Sequence, residues 1–165
     1  MNKPRRCGGE KGAGLLGLVA AMPLIGLLLA AFGTMFVFGA RAYFFLLSDW
    51  ALQEQVGYAM ERMTTDLRYA EDVKLDGGRL RVFCRATDGS PAWVVYEKTK
   101  EMQARIMRDS QPLTGQSTLG RISMREFKTE RVGDRTVLLR LIGENLVSGR
   151  TYELETAVTW TGKGT

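Results

Sequence analysis

Residues Gly12 to Ala40 read GAGLLGLVAAMPLIGLLLAAFGTMFVFGA, 29 positions without a charged side chain. As a helix this run is about 43 Å long, against a hydrocarbon core of about 30 Å. Between Ala13 and Ala40, 13 residues are Leu, Ile, Val or Phe. At roughly −0.3 to −0.6 kcal/mol each they favour insertion by about 4 to 8 kcal/mol, an upper bound because the ends count less. Five glycines and Pro23 oppose this, but both residue types are tolerated in membrane helices. The stretch is therefore expected to enter a bilayer. A cleavable secretory signal is the competing reading, and Ala31-Phe32-Gly33 offers small residues for cleavage. Its apolar region is normally about 7 to 15 residues, half the length seen here.

The flanks set the orientation. Lys3, Arg5, Arg6 and Lys11 precede the run against the single acid Glu10, and only Arg41 follows it before Arg62. Positive charge stays inside, so the N-terminus is expected in the cytoplasm and the remainder outside the cytoplasmic membrane, as a single-pass protein. Tyr43, Phe44, Phe45 and Trp50 stand just past the run, where aromatic rings favour the membrane–water interface.

Beyond the run, Trp50, Val56, Met60, Met63, Leu67 and Ala70 recur at steps that place them near one stripe of a helix. Either one rod continues to Ala70, or two helices meet at a bend near Ser48 and Asp49, with Ser48 as a cap. From Val73 the period changes to two. Val73–Leu75 and Leu80–Val82 flank Asp76-Gly77-Gly78-Arg79, which reads as a hairpin. Further strands are expected at Trp93–Tyr96, Met102–Met107, Ile122–Phe127 and Thr136–Ile142, with loop from Pro112 to Gly120. Tyr152, Leu154, Thr156, Val158 and Trp160 alternate with polar residues in the plainest strand pattern of the chain. The fold class expected is α+β: a long N-terminal helix, transmembrane and then amphipathic, packed on a small antiparallel sheet. The segments are 1–12, a basic leader; 13–40, the apolar helix; 41–72, its amphipathic extension; 73–160, the sheet; and 161–165, a loose tail.

The chemistry on offer is sparse. The protein has 165 residues, 23 Lys+Arg against 18 Asp+Glu, and no histidine. That excludes His-dependent triads, His-bearing zinc sites and His acid–base catalysis. Cys7 and Cys84 are far apart, which argues against a disulfide framework or thiolate zinc site. Cys84 is in phase with Leu80 and Val82 and reads as a small core residue. Gly115–Arg121 has the glycine spacing of a phosphate loop but lacks its Lys and precedes a strand, so nucleotide binding is not expected. Glu61/Asp66, Glu71/Asp72 and Glu153/Glu155 are expected on solvated faces. Arg79, Arg81, Arg85, Lys98, Lys100, Arg105 and Arg108 outnumber the nearby acids. With no aromatic platform legible beside them, solubility is preferred over DNA binding. No catalytic, cofactor-binding or metal-ligating residue is nominated, and an enzyme is not expected.

The organisation resembles that of type IV prepilins and pseudopilins. The junction Glu10-Lys11-Gly12-Ala13-Gly14-Leu15-Leu16-Gly17 is similar to the family's Lys-Gly followed by an apolar helix. Met60–Ala70, Gly77-Gly78-Arg79-Leu80 and Tyr152–Val158 are similar to segments of minor pilins of competence pili and J-type general-secretion pseudopilins. The resemblance implies prepilin-peptidase cleavage after Gly12 and methylation of Ala13. It also implies assembly through the N-terminal helix with other pilin subunits, on an inner-membrane platform, for secretion or DNA uptake. Gly17 stands where the family usually has Glu, and Ala13 where it usually has Phe or Met. Some tip components lack that Glu, which suggests an initiating or capping place in a filament. Ala13, Gly17 and Ala21 form a small-xxx-small row that would allow close helix approach near Pro23, although small residues are common in membrane helices anyway.

Overall fold

The computed structural model describes residues 10–85, 90–115 and 121–162, with side-chain surroundings from Gly17 onward. Its elements are α1 (Glu10–Arg68), β1 (Asp72–Asp76), β2 (Arg79–Arg85), β3 (Pro91–Lys98), β4 (Ile106–Arg108), β5 (Gln111–Pro112), β6 (Ile122–Arg131), β7 (Thr136–Asn145) and β8 (Thr151–Thr159). The chain divides into two compact units, Met1–Tyr43 and Phe44–Thr165. In the first, α1 runs through Pro23 without ending. Every described side chain from Gly17 to Gly39 is exposed, and none of them is charged. This half of the helix is long and apolar enough to cross a membrane, as the composition requires.

In the second unit α1 becomes one-sided. Leu52, Val56, Ala59, Met60, Met63 and Leu67 are buried, at spacings that keep them on one helical face. Each large apolar side chain so covered contributes about 1.5 to 3 kcal/mol. Trp50 does not belong to this stripe and is 60% exposed. A step of six residues turns a helix by about 600°, which lands Trp50 about 120° away from Val56. Ala51 and Leu52 occupy the buried face instead. Ser48 and Asp49 lie within the continuous helix, so the two-helix alternative falls. Ser48 Oγ donates to the Phe45 carbonyl at 2.9 Å, a bond made inside a helix rather than at its cap.

The sheet region is α+β in the pilin-like sense, but it comprises two antiparallel sheets where one was expected. One has the order β1-β2-β3-β4-β5 and the other β6-β7-β8. The first hairpin follows the sequence signal: Asp76 pairs Arg79, and Gly77 and Gly78 both have positive φ, as a two-residue primed turn demands. The expected strand at Met102–Met107 shrinks to β4, and Met102 is fully exposed. Here hydroxyls replace a ladder: Ala104 N donates to Ser123 Oγ at 3.1 Å and Arg105 N to Thr99 Oγ1 at 2.9 Å. The two sheets are joined by Met124 N donating to the Ala104 carbonyl at 2.8 Å. The loop expected from Pro112 starts one residue later, because Pro112 pairs with Met107. β8 keeps its predicted phase, with Val158 and Trp160 buried. Past it, the Thr161 hydroxyl donates to the Arg68 carbonyl at 3.2 Å.

A single hydrophobic cluster takes side chains from the helix and both sheets. Helix and sheet approach closely at Gly143 on β7, where an added Cβ would lie 2.6 Å from Val56 Cγ2 and 2.8 Å from Leu52 Cδ1. Gly143→Ala is expected to destabilise the full chain in detergent by about 1 to 3 kcal/mol. Combined with Val56→Ala, it should cost at least about 0.5 kcal/mol less than the two separate losses added. Strict additivity in denaturant unfolding would show that the helix and β7 do not meet there.

Candidate functional site

Among the sequence-selected positions, Gly12 and Ala13 fall in the first turn of α1, and their side chains lie outside the described residues. Gly17, Ala21 and Pro23 are exposed, and a Cβ on Gly17 would meet nothing within 4 Å. Ala13, Gly17 and Ala21 share a helical face by their spacing of four. Among the described residues, nothing packs on Gly17 or Ala21. Cys7 and residues 116–120 of the glycine-rich loop lie outside the described residues, while Ile122 does open a strand rather than a helix.

Two polar clusters tie the helix to the sheets. In the first, Tyr96 is fully buried, and its hydroxyl donates to Asp66 Oδ2 at 2.5 Å. Arg108 Nε donates to the same oxygen and to Tyr96 Oη, both at 3.2 Å. Burial above all, and then the bond to Asp66, pushes the Tyr96 phenol well above its usual range. Asp66 is thus no solvated surface acid, contrary to the expectation for Glu61/Asp66: its side chain is only 11% exposed. The other two acidic pairs behave as surface groups. Glu71 pairs with Arg85, and Glu153 and Glu155 both face Arg140.

The second cluster joins α1 to the turn between β7 and β8. Asn145 is completely buried, and its Nδ2 donates to Ser48 Oγ at 2.8 Å and Asp49 Oδ1 at 2.9 Å. Its Oδ1 accepts from Val147 N and Ser148 N, closing the turn on itself. Ser148 Oγ donates to Asp49 Oδ1 at 2.6 Å, and Arg150 reaches Asp49 Oδ2 at 2.9 Å. The Ser148 bond, with Asn145 and Arg150 after it, holds the Asp49 carboxyl below its ordinary value against the opposing effect of burial. The sequence reading passed over Asn145; the available signal was an Asn followed by Ser148-Gly149 directly after an alternating strand.

On the outer face of the first sheet, the register pairs Phe83 with Trp93 and Arg81 with Lys74. The two rings lie 5.1 Å apart. Lys74 and Arg81 sit 5.0 and 5.4 Å from the centroid of the Trp93 ring, a cation–π arrangement. An aromatic platform therefore does stand beside the basic residues, where none was legible. Three of the arginines on this face are paired within the sheet: Arg79 with Glu97, Arg81 with Asp76 and Arg85 with Glu71. A shallow cleft of about 670 Å³ opens beside Phe83, Arg85 and Trp93. On the opposite, helix-facing side Cys84 is half-buried, and burial raises its thiol pKa, which suits a packing role over a reactive one. Among the described residues, no group of acidic, Cys or His side chains is arranged to hold a metal.

No protein-family model matches the chain, and no curated protein or solved structure matches it. The pilin-like arrangement of helix and sheets thus rests on the chain's own geometry.

The second cluster makes stability depend on pH with a fixed sign. A depressed carboxylate pKa stabilises the fold above the unfolded value near 4, and that contribution disappears as pH falls through the folded value. Asp49→Asn should therefore lower the thermal midpoint at neutral pH, and the gap to the parent protein should close progressively below about pH 4. A gap that stays constant from neutral to acid pH would remove Asp49 from this role.

Proposed function

We propose that the chain is a single-span protein anchored in the cytoplasmic membrane, whose extracytoplasmic β head works by binding protein partners. The carrying observation is the exposure of every described side chain from Gly17 to Gly39, beside a head that completes its own core with α1 from Ala51 onward. Apolar side chains left bare over this length require lipid or other helices. Protein partners are favoured over nucleic acid because Arg79, Arg81 and Arg85 on the Trp93 face are each paired with an acid of the same sheet or of the segment beside it. No catalytic residue, cofactor or metal enters this reading.

A second reading is supported by α1 running unbroken from the bare apolar half into the head, together with the Lys11-Gly12 junction. In it the chain is a minor pilin or pseudopilin, cut after Gly12 by a prepilin peptidase and methylated at Ala13. Its helix would then leave lipid to pack among sister helices on an assembly platform, with backbone hydrogen bonds kept throughout. Gly17 in place of the usual Glu favours an initiating or tip position.

Intact mass after co-expression with a prepilin peptidase separates the two readings. The anchored reading expects the unprocessed chain in the membrane fraction, with its head digested by protease added to the outside of spheroplasts. Processing to a chain that begins at Ala13, abolished by Gly12→Glu, would establish the second reading and contradict permanent anchoring. A head digested only from the cytoplasmic side would overturn both.

A further inference from the structure

We infer that the turn between β7 and β8 is a second membrane contact, with Leu146 and Val147 entering the headgroup boundary of the bilayer that holds α1; this rests on the anchored reading above. Leu146 is 47% exposed and Val147 56% exposed, in a turn whose other side chains are polar. Two adjacent aliphatic side chains presented at a turn tip are costly in water and suited to a lipid surface.

The turn is placed by the Asn145 cluster. Asn145 and Ser148 bond to Asp49, and Asn145 also bonds to Ser48, so the tip is held at the level of those two helix residues. Leu146 N donates to the Arg121 carbonyl at 2.8 Å, which fixes the other side of the turn to the start of β6. On α1 at this same end of the head, Phe44, Leu46 and Trp50 are all exposed. Trp is enriched at the membrane–water interface, and Phe and Leu suit the headgroup–acyl boundary beneath it. Arg121 and Arg150 flank the pair; both are exposed, and Arg150 keeps a side chain 72% accessible while touching Asp49. Guanidinium groups beside aliphatic side chains match phosphate headgroups above acyl chains. The turn would thereby hold the head against the membrane surface, a second fixed point besides the span.

Depth-dependent quenching tests this in the full chain reconstituted in vesicles of phosphatidylcholine and phosphatidylglycerol. In a background with Cys7→Ser and Cys84→Ala, a polarity-sensitive dye is attached through Val147→Cys, Leu28→Cys or Tyr69→Cys. Tyr69 lies 20 residues beyond Asp49, about 30 Å along the helix direction. Leu28 should be quenched by deep spin-labelled lipid and Tyr69 by none. Val147 should be quenched about twofold or more by shallow spin-labelled lipid, matching insertion of about 5 to 10 Å. If Leu28 is quenched while Val147 behaves like Tyr69, the turn contact is overturned and the span stands. A blue-shifted but unquenched dye at Val147 would mean a protein occupant, a second copy included, and would also overturn it. An unquenched Leu28 would defeat the anchored reading itself, and this inference with it.

Discussion

The burial of one helical stripe against two sheets at once is the constraint on which the rest of the molecule depends. Neither sheet closes on itself, and the smaller has only β6, β7 and β8. Leu52, Val56, Met63 and Leu67 supply the missing wall, and Gly143 lets β7 approach it closely. Sheets this small are marginal without a cover. Removing the stripe would expose the apolar residues of β2, β3 and β7 together, so helix and head form one folding unit from about Ala51 onward.

Polar contacts then fix how the stripe sits, where apolar packing alone would tolerate sliding. Asp66 clasps Tyr96 and Arg108 near the end of α1, and Asp49 with Ser48 clasps the β7–β8 turn 17 residues earlier. Each clasp places a carboxylate among several donors, so neither leaves a buried charge unpaired. Their separation along the helix is about 25 Å, enough to set both its axial position and its rotation.

Much of this was legible from residue order alone. The 29 uncharged positions from Gly12 to Ala40, the Gly77-Gly78 turn and the alternation from Tyr152 to Trp160 each carry a strong local signal. Trp50 misled because the six-residue step to Val56 was counted as keeping it on the stripe, whereas that step turns it away from the buried face. The split into two sheets was not legible, since it depends on hydroxyls of Ser123, Thr99 and Thr114 capturing backbone N–H groups around Ala104–Ile106. The clasps were hidden for a similar reason. Asp66 meets Tyr96 across 30 residues and Asn145 meets Ser48 across 97, distances over which periodicity says nothing. Of the candidate positions, the sequence supplied the apolar helix and its Gly12–Ala13 junction, while the turn at Leu146 emerged only once Asn145 was seen to pin it.

The helix has two faces of exposure: bare on all sides from Gly17 to Gly39, and covered by protein on one side within the head. Spin labels placed singly from Leu18 to Leu67 in the nanodisc-embedded full chain read both directly, through collision with oxygen and with a water-soluble nickel chelate. The account predicts uniformly high oxygen access from Leu18 to Phe38, then access oscillating with a period of about 3.6 residues and minima at Leu52, Val56, Met63 and Leu67. Oscillation throughout, or none at all beyond Trp50, would contradict it.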